Sequence, residues 1–128
     1  TREMVQGIGI GVPGAVTPDG VVNRCVNVGW GVVPIEVDLE GLSGLKVRTA
    51  NDANIAALGE AWMGSGKGAD SLVMVTLGTG IGGGVIIDQH IIAGHNGAAG
   101  EIGHINVNPD ELEECRVQSP GRHYGTYG

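Results

Sequence analysis

Three short stretches of this sequence carry residue types that could do chemistry. The first is the polar cluster Asn51-Asp52-Ala53-Asn54, set between a short β-branched run and an Ala- and Leu-rich segment. Asp52 there can cap a helix, or it can act as a general base that takes a proton from an alcohol, as phosphoryl transfer to a hydroxyl requires. A cap accounts for one of these polar residues, not three. The second stretch is "TLGTGIGGG" (76–84), with glycines at 78, 80, 82, 83 and 84. Such a turn can be a plain β-turn with bulge glycines, or a nest of backbone N–H groups that holds phosphate, with Thr76 and Thr79 adding hydroxyls. It lacks the Gly-Lys-Ser/Thr of a Walker loop, and it is not a dinucleotide fingerprint, because a strand follows where a helix is needed. The third is "NGAAGEIGH" (96–104). Glu101 and His104, three apart, could grip vicinal sugar hydroxyls, or His104 could ligate a metal or make an ordinary polar contact.

The elements that must position these residues are legible in outline. "VQGIGIGVPG" (5–14) predicts a buried strand entering a Pro-Gly turn, and Pro18-Asp19-Gly20 a hairpin-type turn before a short strand at 21–23. A helix is expected to start near Pro34, with Glu36, Asp38 and Glu40 in its first turns, and to end at Gly41 or Gly44. "LKVRTA" (45–50) reads as a strand aimed at Asn51-Asp52. Ile55, Leu58 and Trp62 give the following helix, 53–63, an apolar stripe, and Gly64, Gly66 and Gly68 end it. "DSLVMVTLG" (70–78) predicts a strand buried on both faces. The segment 79–94 reads as a glycine-rich turn, a strand, a turn at Asp88-Gln89 and a returning strand. After Asn108 the chain becomes acidic and irregular.

Bulk properties narrow the classes. The 128 residues suit one ordinary domain or a piece of something larger, and with no Phe, two Trp and two Tyr the core must be aliphatic and small-residue packed. Twenty-five glycines are the compositional outlier, without a collagen-like period. A net charge of −7, with only seven scattered Lys and Arg, argues against a nucleic-acid surface. No apolar stretch reaches the roughly 18 residues of a membrane span, and no signal segment is evident at the start. Two cysteines, Cys25 and Cys115, make no disulfide framework, so a cytoplasmic setting is expected. The ends, Thr1-Arg2-Glu3-Met4 and Gly125-Thr126-Tyr127-Gly128, suggest an excerpt.

Together, "GIGIGVPGAV", "NVGW", "NDANIAALGE", "VTLGTGIGGGVI" and "GAAGEIGH" resemble, in sequence and order, the ROK family of sugar kinases and repressors, and within it the glucokinases. The resemblance covers about residues 5 to 108. It implies an α/β fold of the actin-like ATPase (ribonuclease H-like) type, here incomplete. Residues 1–50 would be the end of the small N-terminal domain, 51–108 the interdomain crossing and the start of the large domain, and 109–128 a divergent tail. It also implies an ATP-dependent hexose kinase that phosphorylates glucose or a related sugar at its 6-hydroxyl. In that reading Asp52 is the catalytic base. Asn27, Asn51, Glu101 and His104 bind sugar, and Gly78, Thr79, Gly80, Gly82 and Gly83 contact ATP, which is used with Mg²⁺. The partners implied are small molecules, with neither nucleic acid nor membrane, and the full-length parent is expected to be a homo-oligomer. The rival from another class is a fragment of a sugar-sensing repressor of the same family without its helix-turn-helix domain.

The departures are informative too. The family's first phosphate loop is not in this chain, nor is most of its C-terminal region, so the chain by itself is expected to be inactive. The family follows its Gly-His segment with a three-cysteine motif that, with the His, holds structural zinc and ends in a sugar-binding Glu. Here Val117 and Arg122 replace the second and third cysteines, and Tyr124 the Glu. His104 and Cys115 would remain as two zinc ligands, too few for a closed site, so neither Zn²⁺ nor an ordered tail is expected. A frameshift in the tail is a further expectation that the coding DNA would test.

Overall fold

A computed structural model describes residues 2–25, 28–78, 80–108 and 122–123. The opening strand β1 (Gly7–Val12) runs parallel to β4 (Lys46–Asn51), in a register that sets Val12 beside Asn51. Between them the chain makes an antiparallel pair, β2 (Val22–Cys25) with β3 (Trp30–Val33), and then helix α1 (Ile35–Ser43). Gly20, with φ of 75°, closes the expected turn, where its N–H donates to the Thr17 carbonyl at 2.9 Å. Strand β3 was not anticipated. It is four residues long, contains Gly31 and leads directly into the helix after Pro34, so nothing separates it from the helical pattern.

Gly44, not Gly41, ends α1: its φ of 68° is the left-handed conformation a helix stop uses, and its N–H donates to Glu40 O. Val12, Val16, Val22, Cys25 and Ile35 form the core of this half, with Ile10, Val33 and Leu39 packed around it. The helix also covers one edge of β4. Glu36 Oε1 accepts the Thr49 N–H at 2.6 Å and Glu40 Oε1 accepts the Val47 N–H at 3.0 Å. Two alternate edge donors are thereby satisfied without a further strand.

Helix α2 (Asp52–Met63) follows β4 without a loop. Strands β5 (Leu72–Leu77), β6 (Ile81–Ile87) and β7 (His90–Ile91) then form an antiparallel sheet in that order. Asp88 and Gln89, both at positive φ, make the tight turn expected between β6 and β7. Three expectations are corrected here. The buried face of α2 is Ala53, Asn54 and Ala57, whereas Ile55, Leu58 and Trp62 are exposed, Trp62 by 75%. The reason is the partner strand: a Cβ on Gly84 would lie 2.6 Å from Ala57 Cβ and 2.8 Å from the Ala53 carbonyl oxygen. The helix sits so close to β6 that only small residues fit between them.

Second, Gly82, Gly83 and Gly84 are not part of the turn but lie inside β6, paired with Thr76, Val75 and Met74. Third, β5 is half-buried on one face and exposed on the other, where Val73, Val75 and Leu77 lie. Beyond β7, a 3₁₀ turn (Ile102–His104) packs on β6, and β8 (Asn106–Asn108) pairs antiparallel with β9 (Arg122–His123). That pairing departs from the expected disorder of the tail at these two residues. The rest of the tail, with Cys115, Val117 and Tyr124, lies outside the described residues.

Candidate functional site

The C-terminal ends of the parallel pair β1 and β4 open onto one cleft, the usual place for ligands in open α/β sheets. Its volume is about 590 Å³. Pro13, Asn51, Asp52, Ala53 and Ala56 line one side, Thr76 to Gly78 and Gly80 to Gly83 another, and Glu101 completes the wall.

Asn51 divides its amide between two tasks. Its Oδ1 accepts the N–H groups of Ala53 (3.0 Å) and Asn54 (3.2 Å), which caps α2, and its Nδ2 donates to the Gly14 carbonyl at 3.3 Å, which ties the helix start to the end of β1. The cap therefore belongs to Asn51, and only one Nδ2 hydrogen remains for a ligand. Asp52 is exposed on the cleft in the first turn of α2, where the helix dipole favours a carboxylate. Its Oδ1 accepts the Ala53 N–H at 2.9 Å. Oδ2 has no hydrogen-bond partner among the described residues and is available to a hydroxyl.

The glycine segment is narrower in function than its composition suggests. Gly78 N–H donates to Gly80 O at 2.9 Å, closing the hairpin, and Gly82 and Gly83 belong to the β5–β6 ladder. What remains bare is the tip, since a Cβ on Gly78 or Gly80 would meet nothing within 4 Å. Gly83 has another constraint: its Cβ would fall 2.6 Å from the Gly100 carbonyl oxygen, so it lets the segment carrying Glu101 approach the sheet. Thr76 lines the cleft; Thr79 and Asn27 lie outside the described residues.

Glu101 lines the cleft, and His104 Nε2 lies 3.7 Å from its Oε2, an ion pair when the imidazole is protonated. His104 itself is not on the cleft wall. The cluster thus joins Asn51, Asp52, Gly78, Gly80, Gly82, Gly83 and Glu101, with His104 behind Glu101. Sequence reasoning missed Pro13, Ala53, Ala56, Leu77 and Ile81 as cleft residues. For Pro13 the signal was available in the parallel pairing of "GIGIGV" with "KVRTAN", which brings both strand ends together. Among the described residues, no three His, Cys, Asp or Glu side chains group as a metal site. No helix among them is long and apolar enough to cross a membrane.

The fold and this cleft match a known family. Residues 1–121 fit the model of the ROK family, and the chain belongs to that family. It is 47% identical over 116 residues to a glucokinase of Halalkalibacterium halodurans, which covers 90% of this chain and 35% of that protein. It is 40% identical over 117 residues to a putative xylose repressor of a Caldicellulosiruptor species, covering 90% of this chain and 29% of that one. Among solved structures, a ROK family glucokinase from Streptomyces griseus, in complex with glucose and AMPPNP, superposes with a TM-score of 0.85 at 41% identity. That match covers 97% of this chain and 39% of the other. The chain spans about a third of the length of the relatives it matches.

Proposed function

We propose that this chain carries the sugar-binding and phosphoryl-acceptor half of an ATP-dependent hexose kinase acting on glucose or a close relative. The observation that carries the reading is the single cleft walled by the Asp52 carboxylate, Glu101 and the bare tip of the β5–β6 hairpin. Similarity to a glucokinase seen with glucose and AMPPNP supports it.

In this reading Asp52 Oδ2 takes the proton of the sugar's 6-hydroxyl as that oxygen attacks the γ-phosphorus of ATP. The new O–P bond forms as the bond to the β–γ bridging oxygen breaks, and ADP leaves. Asn51 holds Asp52 in place by fixing the helix start, and its last Nδ2 hydrogen serves the sugar. Glu101 accepts ring hydroxyls, with His104 orienting its carboxylate, and Asn27 adds a further sugar contact. Gly78, Thr79 and Gly80 receive the phosphates, while Gly82 and Gly83 keep the approach free of side chains. Mg²⁺ would come with ATP and draw most of its ligands from phosphate and water; the cleft's two carboxylates are Asp52 and Glu101, and Asp52, before it takes the hydroxyl proton, would be the protein group to face it. When bound, it neutralises charge on the transferring phosphoryl group.

We assign the fold to the actin-like, ribonuclease H-like type, with residues 1–50 ending a small domain, 51–108 crossing into a large one and 109–128 a divergent tail. The parent would be a cytoplasmic homo-oligomer. Similarity to a xylose repressor of Caldicellulosiruptor bescii favours a second reading, a sugar-sensing regulator that binds sugar in the same cleft without transferring phosphate.

The experiment is calorimetric titration of the chain with glucose and with xylose, alongside Glu101→Ala. Saturable glucose binding that Glu101→Ala weakens at least tenfold, on the scale of a lost charged hydrogen bond, is expected. Binding of xylose but not glucose favours the regulator, and no binding of either sugar by the folded chain overturns both readings.

A further inference from the structure

One polar side chain near the cleft is not used by the chemistry above. Asn54 sits in the first turn of α2, two residues beyond Asp52, and is only 4% exposed. Its backbone N–H is held by the Asn51 cap, yet its side-chain Oδ1 is buried with no hydrogen-bond partner among the described residues. A buried acceptor without a donor is costly, and at a helix position facing glycines an alanine would pack at least as well.

The surroundings say what the acceptor faces. A Cβ built on Gly100 would lie 3.5 Å from Asn54 Oδ1 and 2.2 Å from the Gly83 carbonyl oxygen. Gly100 is buried there, directly before Glu101, in a turn held by a long bond of 3.3 Å from Glu101 N to Ala98 O. The amide of Asn54 therefore lies between the helix that carries Asp52 and the turn that carries Glu101.

We propose that Asn54 is a positioning residue: its Oδ1 accepts a backbone N–H of the 98–101 turn when sugar seats on Glu101, and so fixes the distance between Glu101 and Asp52. This rests on the hexose reading of the cleft. The long Glu101–Ala98 bond of 3.3 Å is the contact it replaces. Sugar binding thereby pairs a buried acceptor that has no other partner among the described residues, which links occupancy to the position of the turn.

The test uses Asn54→Leu, an apolar near-isostere, and Asn54→Ala, which cannot overpack. Each is followed by thermal unfolding and by glucose calorimetry well below its midpoint. The expected result for Asn54→Leu is about tenfold weaker glucose binding with an unfolding midpoint at or above that of the unsubstituted chain, because the orphan acceptor is gone. A merely structural role predicts the opposite midpoint shift. If Asn54→Leu does not fold, Asn54→Ala decides, and a folded Asn54→Ala is expected to lose affinity by a similar factor. Unchanged glucose affinity in either folded variant overturns the proposal while leaving the hexose reading intact, as does an affinity loss that only tracks unfolding. Failure of the unsubstituted chain to bind glucose overturns the hexose reading, and the proposal with it.

Discussion

Gly84→Ala tests whether the closeness of α2 to β6 is what the glycine run is for. The added methyl would lie 2.6 Å from Ala57 Cβ and 2.8 Å from the Ala53 carbonyl oxygen, and the second neighbour is backbone that cannot rotate away. Overpacking of this kind costs about 1–3 kcal/mol. Against it stands the usual gain of about 0.4–1 kcal/mol when alanine replaces glycine and the unfolded chain loses freedom. The net loss should be about 1–2 kcal/mol, a fall in thermal midpoint of roughly 3–10 °C for a chain of this size. Circular dichroism melting measures it, with Gly9→Ala as the control, since a Cβ there meets nothing within 4 Å. Adding Ala57→Gly tests the contact by its coupling. It removes the 2.6 Å contact but keeps the clash with Ala53 O, and glycine costs the helix about 1 kcal/mol. The double variant should therefore lose less than the sum of the singles, by about 0.5–2 kcal/mol. Gly84→Ala melting with the unsubstituted chain, or Gly9→Ala falling as far, would refute the packing argument.

Four further outcomes follow from the hydrogen bonds and the ion pair. Asn51→Ala removes the acceptor for two helix N–H groups and the tie to Gly14, and should cost about 1–2 kcal/mol in chemical denaturation, whereas Asn51→Asp should keep most of the cap. Glu36→Ala leaves the Thr49 N–H without its acceptor and should cost about 1–3 kcal/mol. Arg48→Ala, which removes the ion pair between an arginine side chain 75% exposed and Glu36 together with the guanidinium's 2.9 Å bond to the Val47 carbonyl, should cost less than about 1 kcal/mol by the same assay. The Thr17 hydroxyl, and then its own backbone, hold Asp19 below its usual carboxylate pKa. A depressed carboxylate stabilises the fold above its unfolded pKa, and the effect is lost as pH falls through the folded value. Asp19→Asn should accordingly flatten the acid limb of a stability–pH profile and leave pH 7–8 behaviour parallel to that of the unsubstituted chain.

How far the sequence could be read depended on whether a residue's local chemistry or its neighbour's size decided its place. Asn51-Asp52 was legible as a strand-to-helix junction because capping is local, and Asp88-Gln89 as a turn for the same reason. Gly44 and Gly41 were equally good stops by type, and only the left-handed φ at Gly44 separated them. The buried face of α2 was misread because periodicity finds a stripe without knowing which face a partner will accept. The large side chains of Ile55, Leu58 and Trp62 outweighed Ala53 and Ala57 until glycines appeared on the opposing strand. Those same glycines read as a turn because their run is contiguous with it, although three of them serve helix and loop packing within β6. Asp52 and Glu101, 49 positions apart, were linked only through resemblance, since no local pattern brings them to one wall.

The claim that one cleft serves both the acceptor hydroxyl and the phosphates is tested most directly by amide chemical-shift mapping of the isotopically labelled chain. Glucose and the ATP analogue AMPPNP with Mg²⁺ would be added separately and then together. Glucose should shift Asp52 and Glu101, the nucleotide should shift Gly78 and Gly80, and the two sets should extend toward each other when both are present. Nucleotide shifts that avoid the β5–β6 hairpin, or glucose shifts that avoid Asp52 and Glu101, would contradict it.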